Sequence, residues 1–290
     1  MIRGLSRQRG RSEPPDCLRM FKLTRMRDVS AARQQQDLSS STYRTLSPSG
    51  GEEMAALLDD VVPETKLLLA IDIDVRPLRY SELPRAVKCS RDAIASDSLT
   101  RYLAGGDHSP GVYKLRETVL TTLSFATSIR TRRILTIDHG DAICGYRLPE
   151  DKPSKMLLLL ARLSKAMGAK EYAKRSTEVR DAISELLETS LGDRIADMIE
   201  IQSLATSPKQ QGRGYGTALV EAVVSLADEQ GRAVFLVTTD AYRFYEFVGF
   251  KLVRERLVGV DNPTWDGAPV AIRIMLKEPH DIKREREKKQ

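Results

Sequence analysis

Cysteine, histidine and tryptophan are all scarce in this chain, at three, three and one among 290 residues. The cysteines (Cys17, Cys89, Cys144) are odd in number and far apart, which excludes a disulfide framework and fits a reducing compartment. The histidines (His108, His139, His280) stand away from one another and from any cysteine pair, so no metal is expected. Long apolar runs are missing too. The longest, Met156-Leu157-Leu158-Leu159-Leu160-Ala161, stops at Arg162, far short of the roughly 20 residues of a membrane span, so no membrane partner is expected. The first 30 residues hold no secretory-type hydrophobic stretch, and Glu13, Asp16 and Asp28 count against an arginine-rich transit peptide. The resulting expectation is a cytoplasmic protein, with nuclear and mitochondrial placements as alternatives.

Positive charge is present, but at the ends. Residues 1–30 carry a net +5 and residues 279–290 a net +2, which leaves the stretch between them close to neutral. The basic balance therefore describes the tails, and no nucleic-acid contact through the folded body is expected. Residues 1–65 are rich in Arg, Gln, Ser, Gly and Pro and read as a disordered basic region, with one short helical stretch at 52–61. A folded domain is expected over 66–279 and a charged tail over 280–290.

Within the domain, 71–78 alternates as a strand. A helix over 81–95 follows, capped by Ser81, with Pro84 in its first turn and Leu83, Val87 and Ile94 on its apolar face. A short helix holds Leu99, Tyr102 and Leu103 and ends at Gly105-Gly106. A longer one over 112–129 presents Leu115, Val119, Leu123 and Phe125. Strands at 133–137 and 142–148 form a hairpin around Asp138-His139-Gly140-Asp141. An insertion at 153–192 reads as two helices, 155–167 and 170–191, each stopped by a glycine; it is either a functional element or a packing hairpin. A strand at 197–206, a helix at 217–229 ended by Gly231, and strands at 232–239, 250–260 and 268–276 complete the pattern.

Between the strand at 197–206 and the helix at 217–229 lies Ser207-Pro208-Lys209-Gln210-Gln211-Gly212-Arg213-Gly214-Tyr215-Gly216-Thr217. A glycine turn at a helix start leaves backbone N–H groups uncovered at the positive end of the helix dipole, which suits a phosphate. A nucleotide P-loop requires Gly-Lys-Ser/Thr, which is absent. A dinucleotide fingerprint requires G-x-G-x-x-G after a tight turn, whereas the spacing here is G-x-G-x-G after eight residues. A plain glycine-rich turn is the remaining alternative.

Gln211, Gly214 and Gly216 also fill the pattern Q/R-x-x-G-x-G/A, and Tyr242-Arg243-Phe244-Tyr245-Glu246-Phe247-Val248-Gly249-Phe250 carries F-Y-E-x-x-G-F. Together these resemble the acyl-CoA loop and the following helix of the GNAT superfamily of N-acetyltransferases. The resemblance covers about 70–279, is concentrated in 198–250, and extends at the loop 261–267 to fungal members. It implies an α/β (α+β) fold: a twisted, mixed, mostly antiparallel sheet of about seven strands flanked by helices, with the helical insertion before the fourth strand. It implies acetyl-CoA as co-substrate, a small-molecule or peptide amine as acceptor, and a monomer or weak homodimer. Gln211, Gly212, Arg213, Gly214, Tyr215, Gly216 and Thr217 would hold the pyrophosphate. Leu204 would offer its N–H to the thioester carbonyl, and Ala205 and Thr206 would offer backbone to the pantetheine arm, with Phe244 packed beside it. Asp240 is the further cofactor-binding candidate, standing where many relatives have an asparagine that binds the cofactor arm, on a link about two residues shorter.

The chemistry this implies is attack of an amine on a thioester. An alkylammonium with a pKa of about 10.4 must lose a proton, and the departing thiolate must gain one. Glu200, eleven residues before Gln211, matches the offset of a glutamate base in the histone-acetyltransferase branch; the alternative is a structural pair with Arg194 or Lys209. Tyr245 matches the tyrosine acid, against the alternative of a core tyrosine. Trp265 either walls an acceptor pocket or closes one end of the sheet. Two other functions stay open: a non-catalytic acyl-CoA-binding or interaction module, and a dinucleotide-dependent oxidoreductase.

Overall fold

The computed structural model describes residues 73–152 and 154–280. The basic region 1–65, its helix at 52–61, the first two residues of the 71–78 strand and the tail beyond His280 lie outside the described residues. In chain order the elements are β1 (Arg76–Pro77), α1 (Leu83–Ile94), α2 (Ser98–Ala104), α3 (Pro110–Arg130), β2 (Ile134–Ile137) and β3 (Ala142–Arg147). Then come α4 (Lys155–Ala166), α5 (Lys170–Ser190), β4 (Ile199–Thr206), α6 (Tyr215–Glu229), β5 (Val234–Thr238), α7 (Tyr242–Phe247), β6 (Lys251–Val258) and β7 (Val270–Lys277).

The seven strands form one sheet in the order β1-β2-β3-β4-β5-β7-β6. Every pairing is antiparallel except β4 with β5. The expected mixed, mostly antiparallel sheet with a helical pair before the fourth strand is what the chain adopts. On one face, α6 and α7 cover β2 to β5 through Leu219, Val223, Phe244 and Tyr245. On the other, α5 and α2 cover β5 to β7, while α1 and α3 cover β1 to β3.

Helix α6 shows how local sequence sets an element. Leu219, Val220, Val223, Val224 and Ala227 fall on one face and are buried, each large one contributing about 1.5–3 kcal/mol. Gly231, at φ +64°, ends it as expected. Its N–H and that of Arg232 return to the carbonyls of Asp228 and Ala227, a Schellman closure.

Three local expectations are corrected. The strand at 71–78 shortens to Arg76–Pro77 among the described residues. Ser81 does not cap α1: it lies exposed in a single 3-10 turn, Tyr80–Glu82, and Glu82 occupies the cap position. On α3, Leu115 and Val119 are exposed at 67 % and 49 %, whereas Tyr113, Thr121 and Phe125 are buried. The rows 113-117-121-125 and 115-119-123 lie on nearly opposite sides of one helix. Phe125 packs with α1 and with Ile134 of β2, Tyr113 meets Tyr172 of α5 edge-on at 6.1 Å, and Thr121 donates its hydroxyl to the Glu117 carbonyl.

Candidate active site

Strand β4 carries the site because it is irregular. Its pairing with β3 skips Gln202, placing Gly145 opposite Ser203 but Tyr146 opposite Ile201. The extra residue is a β-bulge and bends the strand. The parallel register with β5 covers only Ile199 to Ile201 against Val234 to Leu236. Beyond that point Leu204, Ala205 and Thr206 pair with β3 alone, and β4 splays from β5. The splay leaves a one-sided strand edge where an extended ligand arm can add as a further strand.

The glycine loop stands at the mouth of the splay. Its root is tied down: the Ser207 N–H donates to the Asp141 carbonyl at 2.7 Å, and Gln210 Nε2 to Asp141 Oδ2 at 3.3 Å. Gln211 Nε2 donates to the Thr206 carbonyl at 3.3 Å. Gly212 and Gly214 adopt φ +81° and +76°, where L side chains are strained, and a Cβ at Gly212 would meet open space. Gly214 is the N-cap of α6, and no side chain caps that helix. The first-turn N–H groups of Tyr215, Gly216 and Thr217 therefore face outward at the positive helix end. The Tyr215 ring packs on the core and Arg213 is exposed. Among the described residues the Thr206 hydroxyl is buried without a partner. These residues fit a pyrophosphate and its arm.

Glu200 is buried on β4, and burial raises its pKa against the pull of Arg147 and Gln202. Arg147 Nε donates to its Oε2 at 3.0 Å, and Gln202 Nε2 donates to the same oxygen at 3.2 Å. The partner is thus Arg147, directly across the β3–β4 ladder, and neither Arg194 nor Lys209. Arg194 instead binds Glu278 at 2.8 Å. Ile199 and Ile201 share a cluster with Tyr245, so Glu200 between them faces the other side, beside Phe235. The candidate base and the candidate acid therefore sit on opposite faces of β4.

Tyr245 is buried on α7, in edge contact with Phe244 at 5.2 Å and Phe250 at 5.8 Å. Burial raises its pKa, with Cys144 nearby adding to the effect, so the phenol remains protonated at any working pH. Phe244 lies in the same cluster as Leu204 on β4.

Asp240 is exposed at the end of β5, where its carboxylate accepts from the Ser98 N–H at 3.0 Å and the Ser98 hydroxyl at 2.8 Å. It anchors the start of α2. Beside it is a cleft of about 310 Å³, lined by Ser98, Arg101, Asp240, Trp265 and Arg273. Trp265 walls this cleft and also rests edge-on against Tyr102 at 5.3 Å.

Asp97 was not singled out from sequence, although an aspartate before a helical run is a capping signal. It is fully buried and accepts from the N–H groups of Leu99 and Thr100 and from the Thr239 hydroxyl. Desolvation pushes its pKa up to about 6, against those hydrogen bonds and with help from Asp240. The folded pKa lies above the unfolded one, so the folded chain keeps a proton that the unfolded chain has released between the two values. Stability then falls as pH rises from about 4 to about 6, and stays lower above that. Asp97→Asn keeps the cap acceptor without the charge. Its stability should gain on the parent's over that window, by about 2 kcal/mol at the top of it. Parallel pH–melting curves for the two proteins would contradict this.

Residues 180–252, from within α5 to the start of β6, match the Acetyltransferase (GNAT) domain family. Among solved structures, a mosquito arylalkylamine N-acetyltransferase like 5b is 16 % identical, covering 71 % of this chain and 100 % of its own, with a TM-score of 0.48. Arylalkylamine N-acetyltransferase 2 from Aedes aegypti is 15 % identical over 72 % and 100 %, at 0.47. A variant of agmatine N-acetyltransferase in its apo form is 16 % identical over 71 % and 99 %, at 0.46.

Proposed function

We propose, from the match of residues 180–252 to the Acetyltransferase (GNAT) domain family, that this chain moves an acetyl group from acetyl-CoA to a primary amine by direct attack. The observation that carries the reading is the uncapped start of α6 at the mouth of the β4–β5 splay. Bound there, acetyl-CoA supplies the thioester that the amine attacks. Gln211 to Thr217 hold its pyrophosphate through backbone N–H groups, and Leu204, Ala205 and Thr206 line the arm, with Phe244 behind them. Asp240 acts from the cleft side, where its carboxylate and the Trp265 indole offer an ammonium an anionic and a π surface.

Glu200 is the candidate base, supported by its raised pKa next to the bulge and opposed by its ion pair with Arg147. Tyr245 is the candidate acid. A thiol of pKa about 8.5 leaves readily, so the acid contributes modestly: Tyr245→Phe is expected to lower kcat about tenfold with little change in CoA affinity. Equal losses in both would remove that role.

Two observations favour a second reading. Ser98 engages the Asp240 carboxylate and Tyr245 is sealed in the core, as in a non-catalytic acyl-CoA-binding module. Purified protein with acetyl-CoA and an amine panel separates the two. CoA release with any amine supports transfer; thermal stabilisation by CoA without release supports the module; no stabilisation defeats both, and stabilisation by NAD(P)H alone would restore an oxidoreductase.

No helix among the described residues is long and apolar enough to cross a membrane. A reducing compartment is proposed from the odd number and wide spacing of the three cysteines; Cys89 and Cys144 are buried, and burial pushes both thiols up to about 12. A monomer or weak homodimer fits β6, an edge strand with Leu252, Val253 and Leu257 exposed between charged residues.

A further inference from the structure

Helix α5 belongs to the insertion between β3 and β4, and its Arg175 is 1 % exposed. A guanidinium stays charged and cannot be left unpaired in a core. Its Nη1 donates to the Tyr102 carbonyl at 2.6 Å, in the last turn of α2. Its Nη2 donates to the carbonyl and hydroxyl oxygens of Thr264, at 2.7 and 2.9 Å, in the loop between β6 and β7. Its Nε donates to Glu171 Oε1 at 2.9 Å. The same Glu171 oxygen accepts from Asn262 Nδ2 at 2.7 Å and the Thr264 hydroxyl at 2.6 Å. Glu178, also on α5, accepts from the Gly259 N–H at 2.8 Å and from the Tyr102 hydroxyl.

Arg175 thus joins three elements that the sheet alone does not connect. Its guanidinium carbon lies 4.8 Å from the Tyr102 ring centre and 5.6 Å from that of Trp265. Space is cleared for both side chains. A Cβ at Gly106 would come within 2.9 Å of Arg175 Cδ, and a Cβ at Gly267 within 2.3 Å of the Trp265 ring. Trp265 in turn walls the cleft beside Asp240.

We infer that Arg175 is a positioning residue: through Thr264 and its stacking on Trp265 it holds the wall of the acceptor cleft, so the inserted helix sets affinity for the amine. This rests on the acetyltransferase reading for its kinetic part only. Trp265 is the chain's one tryptophan, so its fluorescence reports the wall directly, with or without turnover.

The experiment uses the full chain with Arg175→Lys, which keeps the charge but loses the fork. Trp265 emission is expected to move to longer wavelength, with greater acrylamide quenching. The acceptor KM should rise about tenfold, with kcat and CoA affinity nearly unchanged. Thr264→Val removes one fork partner without leaving a buried charge on α5, and should shift the same readouts in the same direction should Arg175→Lys fail to fold. Unchanged Trp265 emission and quenching in a folded variant overturns the inference, and so does a fall in kcat with KM unmoved. If no amine is turned over, the kinetic arm falls with the acetyltransferase reading, and fluorescence alone decides the positioning role.

Discussion

Gly214→Asp is expected to weaken binding of coenzyme A about 100-fold or more, because a carboxylate about 4 Å from a phosphate repels it by several kcal/mol at a protein surface. The position is chosen by geometry. Gly214 is the N-cap of α6, at φ +76°, with only Ile73 Cδ1 near an added Cβ, at 3.9 Å. Aspartate tolerates the left-handed region better than most residues, so the fold should lose only about 1 kcal/mol, or roughly 2–4 °C in melting midpoint. Its carboxylate would also sit at the positive end of the helix dipole and occupy the N–H groups proposed for the pyrophosphate. Gly214→Asn has nearly the same shape, φ tolerance and capping oxygen without the charge, and should lose clearly less affinity than Gly214→Asp. Calorimetric titration of both variants decides the matter. Equal losses would show that the backbone conformation matters and the charge does not; no loss in either would move the cofactor elsewhere.

Arg147→Ala should lower stability at neutral pH by about 3 kcal/mol, because it leaves the Glu200 carboxylate buried without its counter-charge. Arg147 is partly exposed while the Glu200 side chain is 4 % exposed, so the damage falls on the glutamate. The sign of the pH dependence follows from the cause. Burial already raises the Glu200 pKa, and removing Arg147 raises it further. At low pH Glu200 is protonated in both proteins and the difference is small. As pH rises, the unfolded chain releases that proton before the folded variant does, so the variant loses stability relative to the parent. The gap should be complete once pH exceeds the raised folded pKa. Adding Glu200→Gln to Arg147→Ala should recover most of the loss, and denaturant unfolding at several pH values measures it. A pH-independent gap would mean that Arg147 acts through packing. The single variant Glu200→Gln also tests the base: it should remove the limb of kcat/KM that rises with pH, whereas a purely structural Glu200 would leave that profile in place.

The region from 198 to 250 was the most legible part of the chain. Its signals are local: glycines where φ is positive, apolar residues at helical spacing over Leu219 to Ala227, and a glycine stop at Gly231. Conformational preferences and capping act within a few residues, so a linear reading reaches them. The same locality limits the reading of α3: Leu115, Val119 and Leu123 form the more apolar row, yet α1, β2 and α5 pack on the row of Tyr113 and Phe125.

The partners that decide what the site residues do are remote. Arg147 and Glu200 are 53 positions apart, Ser98 and Asp240 are 142, and Arg175 and Thr264 are 89. No pattern along the chain marks those pairs, because strand register and the docking of the inserted helices bring them together. The sequence by itself determined that a glycine-rich turn opens a helix between two strands, and that an aromatic helix follows. Tertiary structure alone decided that Glu200 faces away from Tyr245, that Asp240 is anchored by Ser98, and that Arg175 stands behind Trp265. The reason is physical: side chains alternate strictly along a strand, so a bulge at Gln202 and the register with β3 set which face each residue occupies.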